Sequence, residues 1–297
     1  MNNKLTIAAT GLDGLIGSRV AILLKENFDF VNLNIEAMDI TDKASVSAVI
    51  GKTSFDLFLH LAAYTDVDGA EKNQDLAWKI NVDGTRNIFE AVKKQRRKLI
   101  FISTGFVFDG EKPPFYEDSE RKPISHYGQT KYEAEKIVEG EAMIVRLDYP
   151  YGSKVSYKKD IVDGVVSLLE QGKTINGIVD QSFTPTFIDD IAHSLGYLGN
   201  HFSPEVFHIV GSNSLTGYEL IATICEVYGF DKKLLGETTY EEFYKGKARR
   251  PKKSIMKSRK NNFYPMKTFR EGLEQLLPLR YHGDLWRLRS SVMVMLG

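Results

Sequence analysis

The chain has 297 residues, of which 42% are hydrophobic and 26% charged, a composition typical of a folded globular protein with one large or two modest domains. Lys and Arg together number 39, and Asp and Glu also number 39, so no net charge favours binding to nucleic acid or to an anionic membrane. The single cysteine, Cys225, excludes an intrachain disulfide, and the six histidines show no metal-binding spacing, so we expect no metal site.

The N-terminal residues show no charged segment that leads into a long apolar stretch. No run in the chain approaches the roughly 20 apolar residues that span a bilayer. We therefore expect a cytoplasmic protein that has neither a membrane nor a nucleic acid as partner.

The first predicted unit is a strand, a glycine turn and a helix. Residues 5–9 form an apolar run, and from Leu15 the apolar residues recur at helical spacing. The turn between them reads TGLDGLIG. In such a turn Gly11 permits a tight bend, Gly14 lets the backbone approach a pyrophosphate, and Gly17 lets the helix pack closely on the strand. The pattern predicts a dinucleotide-binding turn, and an ordinary glycine-rich turn is the alternative.

Strands and helices continue to alternate after this unit. Buried strands are predicted at 55–63, 98–103 and 142–147, and helices at 74–94 and 127–139. The segments LFLHLAA and KLIFIST are almost continuously apolar, as expected for parallel strands that are buried on both faces. The alternation predicts an α/β fold with a doubly wound, Rossmann-type parallel sheet.

The pattern loosens after this half, and we place a domain boundary near residue 150. Residues 1–150 are predicted to form the dinucleotide-binding domain. Residues 151–297 are predicted to form mainly a smaller, mixed α/β substrate-binding domain, with some segments returning to the first domain. Its predicted elements are helices at 161–171 and 216–228, a strand at 206–210 and, from residue 281, an amphipathic helix packed on the core or on a partner.

The choice between NAD and NADP is usually made at the end of the second strand, where a carboxylate binds the ribose 2′-hydroxyl and a basic residue binds a 2′-phosphate. Glu36 lies in a suitable place for the first role, and no Lys or Arg occurs between Lys25 and Lys43. These features favour NAD weakly, and Asp39 and Ile40 are alternatives that would line the adenine pocket. We expect NAD or NADP as the cofactor.

A candidate acid lies at the start of the predicted helix 127–139. Tyr127 and Lys131 are four residues apart, so both side chains project from one helix face. A nearby ammonium lowers the pKa of a phenol and allows proton exchange near neutral pH. Ser103 and Thr104 end the strand before this helix, where a hydroxyl can polarise a substrate carbonyl. The alternatives are a solvated Tyr-Lys pair and a helix-capping hydroxyl.

A family resemblance extends over about residues 4 to 275. It is carried, in this order, by TGLDGLIG, HLAAYTDVDGAEKN, INVDGT, STGFVFDG, YGQTK, QSFTPTFIDDIA and ARRPKKS. In these segments the chain resembles the extended short-chain dehydrogenase/reductase family, and specifically its dTDP-4-dehydrorhamnose reductase branch.

The resemblance implies an enzyme that passes hydride from a nicotinamide to C4 of a nucleotide-linked 4-keto-6-deoxy sugar. Tyr127 would be the proton donor, Thr104 would complete the catalytic set, and Lys131 would bind the nicotinamide ribose. Asn81 would support the active-site backbone. The implied cofactor contacts are Gly11, Asp13, Gly14, Leu15, Ile16, Gly17, Asp39, Ile40, Leu61, Ala62, Ala63, Tyr64, Tyr127, Lys131 and the wall residues Tyr149 and Pro150. The implied substrate contacts are Thr65, Val67, Thr104, Gly105, Phe106, Tyr149 and Arg250.

Two segments depart from the branch. Where relatives typically read STDYVFDG, this chain has Gly105 and Phe106, which removes a carboxylate and a phenol and leaves sugar recognition open. Where relatives commonly read RTSWVYG, the chain reads RLDYPYG, and Asp148 is a hypothetical substitute for the missing carboxylate.

Charged pairs in the second half have two interpretations each. Arg249 and Arg250 either bind a diphosphate through bidentate hydrogen bonds or belong to a solvated loop. Asp189 and Asp190 resemble an interdomain hinge and a helix cap rather than catalytic carboxylates.

Two other functions stay open at this point. The branch also includes the regulatory beta subunit of methionine adenosyltransferase, so the chain could be a non-catalytic dinucleotide-binding subunit. A nucleotide-sugar epimerase would use the same fold and cofactor, whereas a 4,6-dehydratase is disfavoured because Gly105 and Phe106 replace its usual Asp-Glu pair. The resemblance also allows a homodimer, although no residue identifies its interface.

Overall fold

The chain folds into alternating strands and helices in the computed structural model, which describes residues 4–152 and 159–280. The strands are β1 (Leu5–Thr10), β2 (Phe28–Asn32), β3 (Leu57–His60), β4 (Lys98–Thr104), β5 (Met143–Leu147), β6 (Pro150–Tyr151), β7 (Ile175–Ile178), β8 (Ser182–Phe183), β9 (Thr186–Phe187), β10 (Val206–His208), β11 (Leu215–Thr216), β12 (Leu235–Thr238) and β13 (Lys253–Ser254). The helices are α1 (Gly17–Leu24), α2 (Lys43–Lys52), α3 (Val67–Lys72), α4 (Gln74–Trp78), α5 (Gly84–Lys94), α6 (His126–Val138), α7 (Ile161–Leu169), α8 (Ile188–Asn200), α9 (Gly217–Tyr228), α10 (Tyr240–Phe243) and α11 (Phe269–Arg280).

Six strands form one parallel sheet in the order β10-β5-β4-β3-β1-β2. Ala9 of β1 lies opposite Asn32 of β2 on one side and Leu59 of β3 on the other. The strand order reverses between β1 and β3, and ligands of such sheets bind in the crevice at the carboxyl ends of the strands at this point. The doubly wound parallel sheet predicted from the sequence is confirmed.

Apolar side chains cover both faces of this sheet. On one face, Val20 of α1 and Leu195 of α8 pack with β1, β3, β4 and β5. On the other face, Ile50 of α2, Ile88 of α5 and Val138 of α6 form a second core. Burial on both faces explains why β3 and β5 are apolar at nearly every position.

A third core lies outside the main sheet. It joins α7, α9 and α11, with Phe183 and Phe187 at its centre. Short strand pairs border it, β8 with β11 and β13, β7 with β12, and β6 with β9. The chain also returns to the main sheet, because β10 pairs with β5. The domain boundary near residue 150 stays a prediction.

One predicted helix is interrupted in the structure, and another lies outside the part of the chain that the structure describes. The helix predicted at 74–94 is divided by a π-helical turn at Lys79–Asp83, which separates α4 from α5. The amphipathic helix predicted from residue 281 lies outside the described residues. Within the part of the chain that the structure describes, no helix has the length and hydropathy needed to cross a membrane.

Candidate active site

A cavity of about 530 Å³ opens at the carboxyl edge of the main sheet. It brings together most residues that the sequence predicted for the site, namely Gly11, Gly14, Leu15, Ile16, Gly17, Leu61, Ala62, Ala63, Thr65, Val67, Thr104, Phe106, Tyr127, Lys131 and Tyr149. The other predicted site residues do not line it, and these are Asp13, Asp39, Ile40, Tyr64, Gly105 and Arg250.

The glycine turn lines part of the cavity, and its glycine positions leave no room for a side chain. Gly11 has φ +74°, and a Cβ on it would lie 2.8 Å from Ala62 N. A Cβ on Gly17 would meet the carbonyl oxygen of Gly11. The turn therefore exposes backbone at the N-terminus of α1, where amide groups suit a pyrophosphate, and these residues fit a bound dinucleotide.

Asn81 connects the wall after β3 to the helix that carries the candidate acid. Its Oδ1 accepts a hydrogen bond from Tyr64 N at 2.7 Å, and its Nδ2 donates to Tyr64 O at 3.1 Å and to Thr130 Oγ1 at 2.9 Å. Asn81 lies in the π-helical turn and is 1% exposed. It fixes the backbone next to Leu61 and Ala63 relative to α6.

Thr104 and Tyr127 both line the cavity. Thr104 ends β4, and Tyr127 lies in the first turn of α6, whose N-terminus is capped by Ser125. The hydroxyl of Thr104 is near enough to the phenol of Tyr127 to act on its pKa. A carbonyl oxygen between these two hydroxyls would be within reach of both donors.

The pKa of Tyr127 does not behave as the sequence suggested. Burial raises the pKa of the phenol to about 12, and the hydroxyl of Thr104 offsets only part of this effect. The expected lowering by Lys131 is wrong for this structure, because the Lys131 ammonium points elsewhere. Tyr127 is therefore fully protonated at neutral pH.

Lys131 is buried beneath the cavity and faces β4. Its Nζ donates to Ile102 O at 2.8 Å and lies 4.1 Å from the ring centroid of Phe101. Burial lowers the pKa of Lys131 to about 7, although the charge of Glu135 acts in the opposite direction. The amine therefore titrates close to neutral pH, one helical turn from Tyr127.

Aromatic rings form the wall beside the two hydroxyls. The Phe106 ring lies 5.5 Å from the Tyr127 ring, edge to face, and 6.1 Å from the Tyr149 ring. Tyr149 stacks on Phe183 at 4.1 Å and has φ +38°, an uncommon backbone conformation for a bulky residue. Together with Val67, these rings give the wall an apolar surface.

Gly105 does not line the cavity, and side chains from other segments fill the space where its Cβ would lie. A Cβ at this position would lie 2.5 Å from Met256 Sδ, 2.9 Å from Asp148 Oδ1 and 3.0 Å from Ser254 Oγ. The chain therefore requires a glycine here, and the contact with substrate predicted for Gly105 is not seen as a lining contact.

Asp148 is 1% exposed and also lies outside the cavity lining. It accepts hydrogen bonds from Thr184 N at 2.9 Å and Ser254 Oγ at 3.1 Å. Burial raises the pKa of this carboxyl to about 8 despite both hydrogen bonds. Its position behind Gly105 does not support the hypothesis that Asp148 replaces a substrate-binding carboxylate.

Arg250 is engaged within the protein rather than exposed in a solvated loop. Its guanidinium donates to Asp68 Oδ1 at 3.1 Å and Asp68 Oδ2 at 3.0 Å, and it lies 4.6 Å from the Tyr244 ring. Asp68 belongs to α3, directly after Val67. The pair joins the segment after α10 to the rim of the cavity.

The predicted cap role of Asp189 and Asp190 is wrong, and their predicted hinge role stays a prediction. Both residues lie in the first turn of α8, and neither side chain caps the helix. Asp189 instead pairs with Arg19 at 2.6 Å, and Asp190 pairs with Lys267 at 2.8 Å. These buried carboxylates attach α8 to α1 and to the segment before α11.

At the adenosine end of the crevice, Glu36 does not lie at the end of β2, where a carboxylate for the ribose 2′-hydroxyl was expected. Strand β2 ends at Asn32, so Glu36 lies four residues beyond it in an exposed turn. Asn32 occupies the strand end, and its Nδ2 donates to Asp13 Oδ1 at 3.0 Å. Asp39 faces Thr41, whose backbone and side-chain donors lower the pKa of the Asp39 carboxyl.

Sequence reasoning missed four lining residues, which are Ile102, Leu147, Asp160 and Ile161. Asp160 caps α7 through Val162 N and also accepts from Gly152 N at 2.7 Å. An Asp before an apolar helical run is a capping signal that could have predicted the start of α7. No sequence signal places that helix end against the cavity.

Residues 5–280 match the family model of the RmlD substrate binding domain. The chain is 31% identical over 265 residues to a probable low-salt glycan biosynthesis reductase of Haloferax volcanii, covering 83% of this chain and 88% of the relative. It is 27% identical over 279 residues to a dTDP-4-keto-6-deoxy-D-glucose reductase of Streptomyces niveus, covering 91% and 96%. A solved structure of dTDP-4-dehydrorhamnose reductase from Bacillus anthracis, in complex with NADP, superposes with a TM-score of 0.86 at 30% identity, covering 93% and 100%.

Proposed function

The chain belongs to the RmlD substrate binding domain family, within the extended short-chain dehydrogenases/reductases, and we propose that it reduces the 4-keto group of a nucleotide-linked 4-keto-6-deoxy sugar. It is an NAD(P)-dependent oxidoreductase. The observation that carries the proposal is the cavity itself, whose lining combines Gly11, Gly14 and Gly17 of the glycine turn with the side chains of Thr104 and Tyr127.

The chemistry requires a hydride at the carbonyl carbon and a proton at the carbonyl oxygen. A reduced dinucleotide whose pyrophosphate is held by the glycine turn would supply the hydride from its nicotinamide. Thr104 and Tyr127 orient and polarise the carbonyl by hydrogen bonding to its oxygen. As negative charge develops on that oxygen, Tyr127 transfers its phenolic proton there, so that the product is the alcohol and the phenol becomes a phenolate.

The protonated form of Tyr127 is the one that this direction of reaction requires. A phenol with a pKa of about 12 is in the proton-donating form throughout the physiological range. The phenolate left after transfer needs a proton to complete the cycle. Lys131 lies one turn along α6 and has a pKa of about 7, and to return this proton its Nζ would have to leave the hydrogen bond to Ile102 O.

Substrate recognition divides between an apolar wall and a charged rim. Phe106, Val67 and Tyr149 offer surface to the methyl group and carbon skeleton of a 6-deoxy sugar, next to the reacting carbonyl. Thr65, which also lines the cavity, would contact the sugar as well. Arg250 would bind the diphosphate by exchanging its Asp68 partner for phosphate oxygens.

The test is oxidation of NADH or NADPH, followed by absorbance, on addition of dTDP-4-keto-6-deoxyglucose or dTDP-4-keto-6-deoxymannose. With reduced nicotinamide deuterated at its transferring position, deuterium is expected at C4 of the sugar product, one per cofactor oxidised. An epimerase would invert the sugar without net cofactor oxidation. A regulatory subunit would bind the cofactor and oxidise none of it with either sugar, and that result would contradict the proposal.

A further inference from the structure

We propose that the dinucleotide site prefers NADH to NADPH, and that the carboxylate of Asp13, held by Asn32, causes the preference. This inference rests on the dinucleotide binding in the proposed function and adds a choice of cofactor. It is based on the residues at the end of β2, because Rossmann-type sites recognise the 2′ position of the adenosine ribose there.

Asp13 and Asn32 lie next to each other at the end of β2, where the adenosine ribose is expected to bind. Ala9, the residue before the last one of β1, pairs in register with Asn32, the last residue of β2. The chain stays close beyond the pair, because Leu33 N donates to Ala9 O at 2.8 Å. Asp13 lies in the glycine turn that follows β1. The hydrogen bond from Asn32 Nδ2 to Asp13 Oδ1, at 3.0 Å, connects the turn to the strand end.

This pair suits a hydroxyl and opposes a phosphate. A carboxylate oxygen accepts a hydrogen bond from a ribose 2′-hydroxyl, which is the role of an acidic residue at the end of β2 in NAD-binding sites, and here Asn32 holds the Asp13 carboxylate beside that strand end. A 2′-phosphate carries up to two negative charges and would lie within a few ångströms of the Asp13 carboxylate. At an exposed site this repulsion is sufficient for a tenfold or larger loss of affinity.

Arg19 and Lys43 each pair with a carboxylate, whereas Lys79 acts on Asp39. The sequence has no Lys or Arg between Lys25 and Lys43. Arg19 of α1 pairs with Asp189 at 2.6 Å, and Lys43 pairs with Glu90 at 2.8 Å. Lys79 acts electrostatically on Asp39, and it is the cation that a 2′-phosphate would have to use instead.

The experiment is isothermal titration calorimetry of the full chain with NADH and with NADPH, without sugar. The wild type is expected to bind NADH at least tenfold more tightly than NADPH. Asp13→Asn keeps an oxygen that can accept the hydrogen bond from Asn32, but it removes the negative charge. The variant should therefore bind NADPH more tightly, and most of the difference between its NADH and NADPH affinities should disappear. Asp29→Asn is the matched control, because Asp29 is an exposed carboxylate near the other end of β2, and the ratio should stay unchanged.

Equal or tighter binding of NADPH by the wild type would overturn the inference and leave the proposed function standing. In that case, weaker NADPH binding by Lys79→Ala would identify Lys79 as the phosphate partner. A ratio that persists in Asp13→Asn would also overturn the role of Asp13. Failure of the wild type to bind either dinucleotide would contradict the proposed function itself.

Discussion

The side-chain amide of Asn81 donates to Thr130 Oγ1 at 2.9 Å, and Thr130 Oγ1 in turn donates to the backbone oxygen of Tyr127 at 2.8 Å. Asn81 also makes two hydrogen bonds with the backbone of Tyr64. One buried amide therefore sets the position of the candidate acid relative to the wall after β3. The same connection makes Asn81 a site where stability and activity should change together.

Asn81→Ala removes these bonds and leaves Tyr64 N and O without their side-chain partner in a partly buried place. The expected loss in the free energy of unfolding is about 3 kcal/mol, because unsatisfied buried groups cost more than the bonds themselves contribute. Urea denaturation measures this loss. The control is Asn200→Ala, which removes one bond to Gly196 O on an exposed residue and should cost less than about 1 kcal/mol. Equal small losses in the two variants would show that the Asn81 connection is unimportant.

Gly105→Ala tests whether the space behind the residue is filled. The new methyl group would lie 2.5 Å from Met256 Sδ, so we expect a destabilisation of about 1 to 3 kcal/mol. Met256→Ala makes room at the cost of a cavity. In a double-mutant cycle, the two changes together should destabilise less than the sum of their separate effects by about 1 kcal/mol or more. Strict additivity would mean that the two side chains do not compete for one space.

Asp148 should make stability depend on pH. Its pKa is raised to about 8 in the folded protein by burial, so the folded state holds a proton that the unfolded state releases near pH 4. This contribution to stability is complete below about pH 4 and is lost as the pH rises towards 8. Asp148→Asn cannot lose a proton, so its stability relative to wild type should grow by a few kcal/mol between pH 5 and pH 8. Urea denaturation at several pH values measures the difference, and a constant difference would contradict the raised pKa.

Variants of Arg250 and Asp68 distinguish a role of Arg250 in substrate binding from a purely structural role. If Arg250 binds the diphosphate, Arg250→Met should raise the KM for the nucleotide sugar about tenfold or more with little change in kcat. Asp68→Asn breaks the same ion pair but leaves the guanidinium available, so its KM should not rise. Similar increases in both variants would mean that Arg250 acts only by holding α3. Steady-state kinetics at saturating cofactor give both constants.

The sequence predicted those parts of the site that depend on local patterns. The glycine turn, the strand-end Thr104 and the pair of Tyr127 and Lys131 on one helix face follow from spacing within single elements. The parallel order of the strands then brings them to one edge of the sheet. The family resemblance added Asn81, whose contacts are long-range and have no local signature.

Features that depend on tertiary neighbours were not predictable. Asp189 and Asp190 look like capping residues in the sequence, yet their partners, Arg19 and Lys267, lie about 170 and 77 residues away along the chain. The pKa of Tyr127 depends on burial, which outweighs the effect of the Thr104 hydroxyl. The end of β2 at Asn32 could not be predicted from the sequence, and Glu36 lies four residues beyond it.

The most direct test of the account is turnover of the 4-keto sugar by Tyr127→Phe, with dinucleotide affinity measured on the same preparation. Tyr132→Phe is the matched control, because Tyr132 lies on the same helix and contacts Arg121 and Lys136 rather than the cavity lining. We predict a fall in kcat of about 10² to 10⁴ for Tyr127→Phe, with cofactor binding retained, and near wild-type kcat for Tyr132→Phe. Full turnover by folded, cofactor-bound Tyr127→Phe would contradict the assignment of Tyr127 as the proton donor.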